Sequence, residues 1–387
     1  MPWTATRRSH LEAFSPKGRA RRRFLGGLAA IATAATFPLR MHAASTDTVF
    51  LAGRRDPRGG FRVTAFDGTG AQCLDLPLPA RGHDVVPAPD GGTLVMIARR
   101  PGRYLLIADL VSGRILHRVD AIGSRHFYGH GVFSADGARF FASENDFDHR
   151  RGVIGIYAAG NDFRRLGEWP SHGVGPHDLA LTTDGKTLVV ANGGIATHPD
   201  TGRQKLNLKT MAPSLTYLDT TDGRLAGTVR LPPELHQLSI RHLAVAAAGP
   251  IAVGMQYQGP RNDDAPLVAV AEGQRALTPL PPPAGGWAVM RQYCGSVAFD
   301  SSGRFIAATS PRGGIAVIWD IVTGSTPRVL HLPDTCGLAP GGTHGTFMLT
   351  SGTGRAALYD APKDTLQPLS GPLFSTSNWD NHLTIAI

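Results

Sequence analysis

The stretch His83-Asp84-Val85-Val86-Pro87-Ala88-Pro89-Asp90-Gly91-Gly92-Thr93-Leu94-Val95-Met96-Ile97-Ala98 decides the fold. It holds two apolar runs joined by a turn, and Val, Ile and Leu bounded by Gly, Asp and Pro are strand signals. Two more runs complete the unit, Tyr104 to Leu110 and Arg114 to Val119, with Ser112-Gly113 at their turn. The pattern returns in the third unit as His177 to Leu181, Thr187 to Ala191, Leu215 to Asp219 and Arg224 to Val229. A turn glycine precedes an apolar run at Gly91, Gly137, Gly185, Gly249, Gly303 and Gly345, spaced 46, 48, 64, 54 and 42 residues apart. Four strands per unit at that period are the signature of a propeller blade.

The chain ends extend the pattern. Residues 48–78 contain three strand-like runs (Thr48 to Ala52, Phe61 to Phe66, Cys73 to Leu78) and lack an inner one, while the chain finishes on a lone run, His382 to Ile387. Pairing the two completes a seventh blade and leaves no open sheet edge. The expectation is an all-β, seven-bladed propeller over residues 45–387, with the ring closed by the C-terminal strand.

Charge separates residues 1–44 from the rest. The 387-residue chain carries a net charge of +9. Eight of its basic residues and one acid fall before residue 45, so the remainder holds 31 basic and 29 acidic residues, or +2. That balance removes the electrostatic footprint of a nucleic-acid binder. Arg21-Arg22-Arg23-Phe24-Leu25, an apolar run to Phe37, and Met41-His42-Ala43-Ala44-Ser45 read as a signal peptide over 1–44. Phe24 and Leu25 after the arginines resemble a twin-arginine signal, which places the mature protein in the periplasm. No later stretch is long and apolar enough to span a membrane, and a monomer is expected.

Seven residues open the inner runs: His83, His130, His177, His242, Cys294, Cys336 and His382. Blade topology puts them at the mouth of the central channel, where imidazole and thiolate suit copper or iron, with zinc also admitted. Asp84 and Asp178 follow their histidines and are placed to orient ligands; Tyr128 and Arg241 are placed to hold an anion or substrate. The long loops add Glu144, Asp146, His149, His198, Asp263 and Asp264 as a possible outer shell. Counted back from the turn glycine, His83 and His177 stand eight residues upstream, His130 and His242 seven, Cys294 and Cys336 nine. A one-residue slip turns a side chain to the other face of its strand, so between about four and seven of the residues are expected to converge. A Cys294–Cys336 disulfide is the alternative to thiolate ligation.

The export signal, the seven units and the run Gly175-Pro176-His177-Asp178-Leu179-Ala180 resemble exported propellers of the surface-antigen and cytochrome-d1-like class. More closely, the chain resembles an uncharacterised family of twin-arginine-exported propellers associated with imelysin-type, iron-regulated proteins. That resemblance implies a periplasmic role in iron or copper handling. Nitrous oxide reductase, whose propeller gathers histidines around copper, is a looser likeness; the two cysteines depart from it. Two other readings remain open at this point: a metal-assisted hydrolase or lactonase at the channel mouth, and a platform for a periplasmic protein partner with purely structural histidines.

Overall fold

The computed structural model describes residues 48–160 and 162–386. The segment read as a signal peptide lies outside the described residues. The chain from residue 48 forms seven four-stranded antiparallel sheets. Six run from the inner to the outer strand in chain order. The seventh is ordered Asn378–Ala386, Val49–Arg55, Phe61–Asp67, Gln72–Leu78, so the C-terminal strand supplies the inner position of the N-terminal blade. Val49 pairs with Ala386 and Phe50 with Ile385 in this closure. The expected seven-bladed architecture and its closing strand are therefore both present.

Burial follows from blade stacking. Within the first complete blade, Thr93–Ala98 and Tyr104–Asp109 are almost wholly buried, because neighbouring blades cover both of their faces. The outermost strand, Ile115–Asp120, is half exposed and carries His117, Arg118 and Asp120. The cores lie between blades, as where Leu51 and Val63 meet Val85, Met96 and Leu106. Each such aliphatic side chain withdrawn from water stabilises the fold by about 1.5–3 kcal/mol.

The recurring turn glycines have a local cause. Gly137 has φ +68°, where a side chain is strained, and Asp136 Oδ1 accepts the Ala138 N–H at 3.0 Å across the same turn. Asp90 and Asp184 cap their turns in the same way.

The inner strands are Gly82–Pro87, Arg125–Phe133, Pro176–Leu181, Leu238–Val245, Ser296–Phe299, Thr335–Pro340 and Asn378–Ala386. They stand side by side in a closed cycle, the last against the first. The closing strand begins four residues before the expected His382, since Trp379 packs into the core with Phe50 and Phe66.

Bulges interrupt these strands near their mouth ends. Gly82 and Asp84 face consecutive partners, Ala98 and Ile97, which leaves His83 as an extra residue. His177 is extra between Pro176 and Asp178, and Arg241 between Ile240 and His242. Pairing also slips between Phe127 and Gly131 around His130, and between Trp379 and Leu383 around His382. A bulge re-aims side chains without moving the rest of the strand, so the register drift in the sequence does not scatter the histidines.

Candidate metal centre

Five imidazoles meet inside the channel. His83 and His382 have ring centroids 4.5 Å apart, as do His130 and His382; His130 to His177 is 4.8 Å and His177 to His242 is 4.9 Å. In the trios His83/His130/His177 and His130/His242/His382, one ring nitrogen from each residue lies within 4.8 Å of the others, with His130 common to both. Nitrogens bound to one ion at ~2.1 Å sit about 3.4 Å apart in a tetrahedral set, so a small closing movement suffices.

The electrostatics keep most of these rings ready as ligands. Among the described residues, His83 Nδ1, His130 Nε2, His177 Nδ1, both nitrogens of His242 and His382 Nε2 are buried without a hydrogen-bond partner. Burial, then Arg241 and the neighbouring imidazoles, hold the pKa of His177 well below its ordinary value. Burial, then His130 and His83, do the same for His242 and His382. Burial also lowers His83, to about 4. Neutral imidazoles with free lone pairs are the form that binds metal.

His130 is the exception, and the two aspartates explain it. Asp84 Oδ2 lies 3.2 Å and Asp178 Oδ1 3.4 Å from His130 Nδ1. Burial opposes protonation, but Asp178 and Asp84 together outweigh it and raise the His130 pKa. The proton therefore belongs on Nδ1, which directs Nε2 into the cluster. Both aspartates, which follow His83 and His177 in sequence, thus stand behind the same ligand, His130. Asp178 also accepts the Leu243 N–H at 2.9 Å, and burial raises its own pKa to about 6. Asp380, which the sequence reading missed, stands behind His83 with an oxygen 3.6 Å from Nδ1, and accepts from Arg81 Nε at 2.5 Å.

The cysteines do not join the ring. The Cys294 thiol lies in an inter-blade core with Met255 and Met290 and donates to Ser296 O at 3.4 Å. The Cys336 thiol lies beside Phe50 and Trp379 and donates to Asp380 O at 3.2 Å. No disulfide joins them. Burial pushes the Cys294 thiol up to about 12 and raises Cys336 as well, so neither is poised as a thiolate. At nine residues before the turn glycine, both occupy a register that points between blades.

The proposed outer shell is spent on scaffolding. Glu144 accepts from Tyr157 Oη at 2.6 Å and Arg165 at 2.9 Å, and Asp146 binds Arg125 and Arg151. His149 is tied to that same Asp146, while His198 lies 3.5 Å from Asp200. Tyr257 donates to Asp263, and the Ala288 N–H to Asp264.

Two chambers flank the cluster. On one side Asp84, Asp178, His130, His242 and His382 line a small cavity with Ser296 and Thr384. On the other, His83, His177 and His242 open into a cavity of about 280 Å3 that also receives Tyr128 and Arg241, the two residues expected at the mouth. Its further lining by Arg99, Arg100, Arg203, Lys205 and Arg312 was missed, because these residues sit on loops with no motif of their own.

Fold and site together define a seven-bladed propeller that carries a buried histidine cluster in its channel. The chain belongs to the family described as a protein of unknown function (DUF1513), whose model matches residues 76–386. No curated protein matches it. Among solved structures it is similar to the hydrazine synthase of Kuenenia stuttgartiensis, with a TM-score of 0.56 and 14% identity over 87% of this chain and 99% of that one. At that identity the likeness concerns the fold alone.

Proposed function

We propose that this protein is a periplasmic transition-metal-binding propeller that works in copper or iron handling, with His83, His130, His177, His242 and His382 as the ligand set. The observation that carries this reading is the group of buried ring nitrogens with no hydrogen-bond partner among the described residues, drawn together from five blades. Each unpaired buried nitrogen costs about 1–3 kcal/mol. A bound cation would offset that cost, and a merely structural role would leave it standing. An all-imidazole set suits copper, zinc and iron, and copper stands highest in the affinity order of divalent ions. The periplasmic placement rests on the arginine-rich leader and on the resemblance to exported, iron-associated propellers.

The test is elemental analysis of the mature protein purified from its native compartment, followed by titration of metal-stripped protein with copper, zinc and ferrous iron. Stoichiometric metal is expected, and the triple substitution of His130, His242 and His382 by alanine is expected to abolish it. Native protein without metal, together with an affinity untouched by that triple variant, overturns the proposal.

A second reading, metal-assisted hydrolysis, is favoured by one feature: the cluster opens through His83, His177 and His242 onto a cavity large enough for a small substrate. Metal-loaded protein that fails to turn over a panel of anionic esters and lactones excludes it.

A further inference from the structure

The cavity beside the histidines is unusual in its charge. Arg99, Arg100, Arg203, Lys205, Arg241 and Arg312 line it, and no Asp or Glu does. Among the described residues only Arg99 has a carboxylate at ion-pairing distance, Asp380 at 3.5 Å, and that carboxylate already binds Arg81. Arg241 Nε and the Tyr128 hydroxyl are buried with no hydrogen-bond partner among the described residues. Lys205 is held against Gln258, and Arg312 lies over the Tyr293 ring, 4.5 Å from its centroid. Burial, followed by repulsion from Arg241, Arg312 and Arg100, lowers the pKa of Lys205. Crowding cations without counterions is costly, and a bound anion is the usual remedy.

Size and number narrow the ligand. At about 280 Å3 the cavity falls near the lower limit of small-molecule sites, so a nucleic-acid backbone or a protein segment does not fit inside it. A single phosphate engages two or three guanidinium forks, whereas six cations spread over three loops and the Arg241 bulge require several anionic groups on one molecule. We infer that this cavity binds a small polycarboxylate, placed to cap the metal on its open side; the capping rests on the metal reading above, while anion binding does not.

Calorimetry on metal-stripped mature protein separates the two. Tricarballylate, a tricarboxylate, is expected to bind in the sub-millimolar range, to weaken as ionic strength rises, and to bind at least about tenfold tighter than phosphate or acetate. The double variant Arg100→Gln/Arg203→Gln alters loop residues outside the histidine cluster. It is expected to lose about tenfold or more in tricarballylate affinity while metal affinity in anion-free buffer stays unchanged. Absence of tricarballylate binding overturns the inference, as does phosphate binding equally tightly or a variant that binds tricarballylate like the parent. Capping is read on copper-loaded protein, where tricarballylate should shift the copper spectrum. A bound anion with no spectral shift overturns the capping, and failure to take up metal in anion-free buffer counts against the metal reading alone.

Discussion

Replacing Asp84 and Asp178 by asparagine isolates what the carboxylates do for His130. Their oxygens lie 3.2 and 3.4 Å from Nδ1, and asparagine keeps the shape and an acceptor for the Leu243 N–H while removing the charge. A carboxylate behind a ligating imidazole makes the ring more basic toward metal and proton alike, and losing one lowers metal affinity by about 10–100-fold. The two aspartates back each other up, so Asp84→Asn alone should cost about tenfold, or ~1.4 kcal/mol, and the double variant about 100-fold. The effect depends on pH. His130 has a raised pKa, so in the parent protein a metal must displace a proton as pH falls, and affinity should decline between about pH 8 and 6. In the double variant burial and Arg241 both oppose protonation, His130 stays neutral through that range, and the affinity should be nearly flat. The loss is therefore largest at about pH 8 and shrinks toward pH 6. Competition against a chromophoric chelator, run with copper and zinc across that range, measures both quantities. Equal affinities at the alkaline end, or parallel pH slopes in the two proteins, refute the reasoning.

Three other outcomes are expected. Gly129→Ala places a Cβ 2.3 Å from His83 Cδ2 at a φ of +109°; urea unfolding should show a loss of about 2–4 kcal/mol, with metal affinity falling as His83 is displaced. Cys294→Ala/Cys336→Ala should leave metal affinity unchanged and cost ~1–2 kcal/mol per lost sulfur, and in the parent protein both thiols should react with a thiol reagent only after unfolding; a loss of bound metal would return the thiols to the ligand set. Asp380→Asn strands Arg99 and should cost about 3 kcal/mol at neutral pH. Burial works against the Asp380 carboxylate, but His83, Arg99 and Arg81 outweigh it and hold its pKa below the ordinary range. Its stabilisation is thus present above the unfolded value of about 3.9 and lost as pH falls below it, so the unfolding curves of variant and parent should converge in acid.

Most of the architecture was legible because its signals are local. A glycine at positive φ and a run of apolar residues on either side act within a dozen residues and recur in six blades, and in four of these an aspartate caps the same turn. Even part of the site carried such a signal. The position seven residues before the turn glycine reads Asp84, His130, Asp178 and His242 in four successive blades, an alternation of acid and imidazole that foretells the contacts made on His130. The cysteines were misleading for the same reason: they share the neighbourhood of the anchors but stand at another register, and register decides which face of a strand a side chain takes.

Sequence alone thus determined the blade count, the closure by the C-terminal strand and five of the residues that meet in the channel, since repeat period and residue type suffice for those. Tertiary structure alone decided which anchors turn inward, because bulges arise from pairing with a neighbouring strand. It also decided the partners of the cluster. Asp380 reaches His83 and Arg81 across 297 and 299 residues, and the six cations of the anion cavity come from four blades. Electrostatic fields add through space, and no stretch of the chain contains the sum.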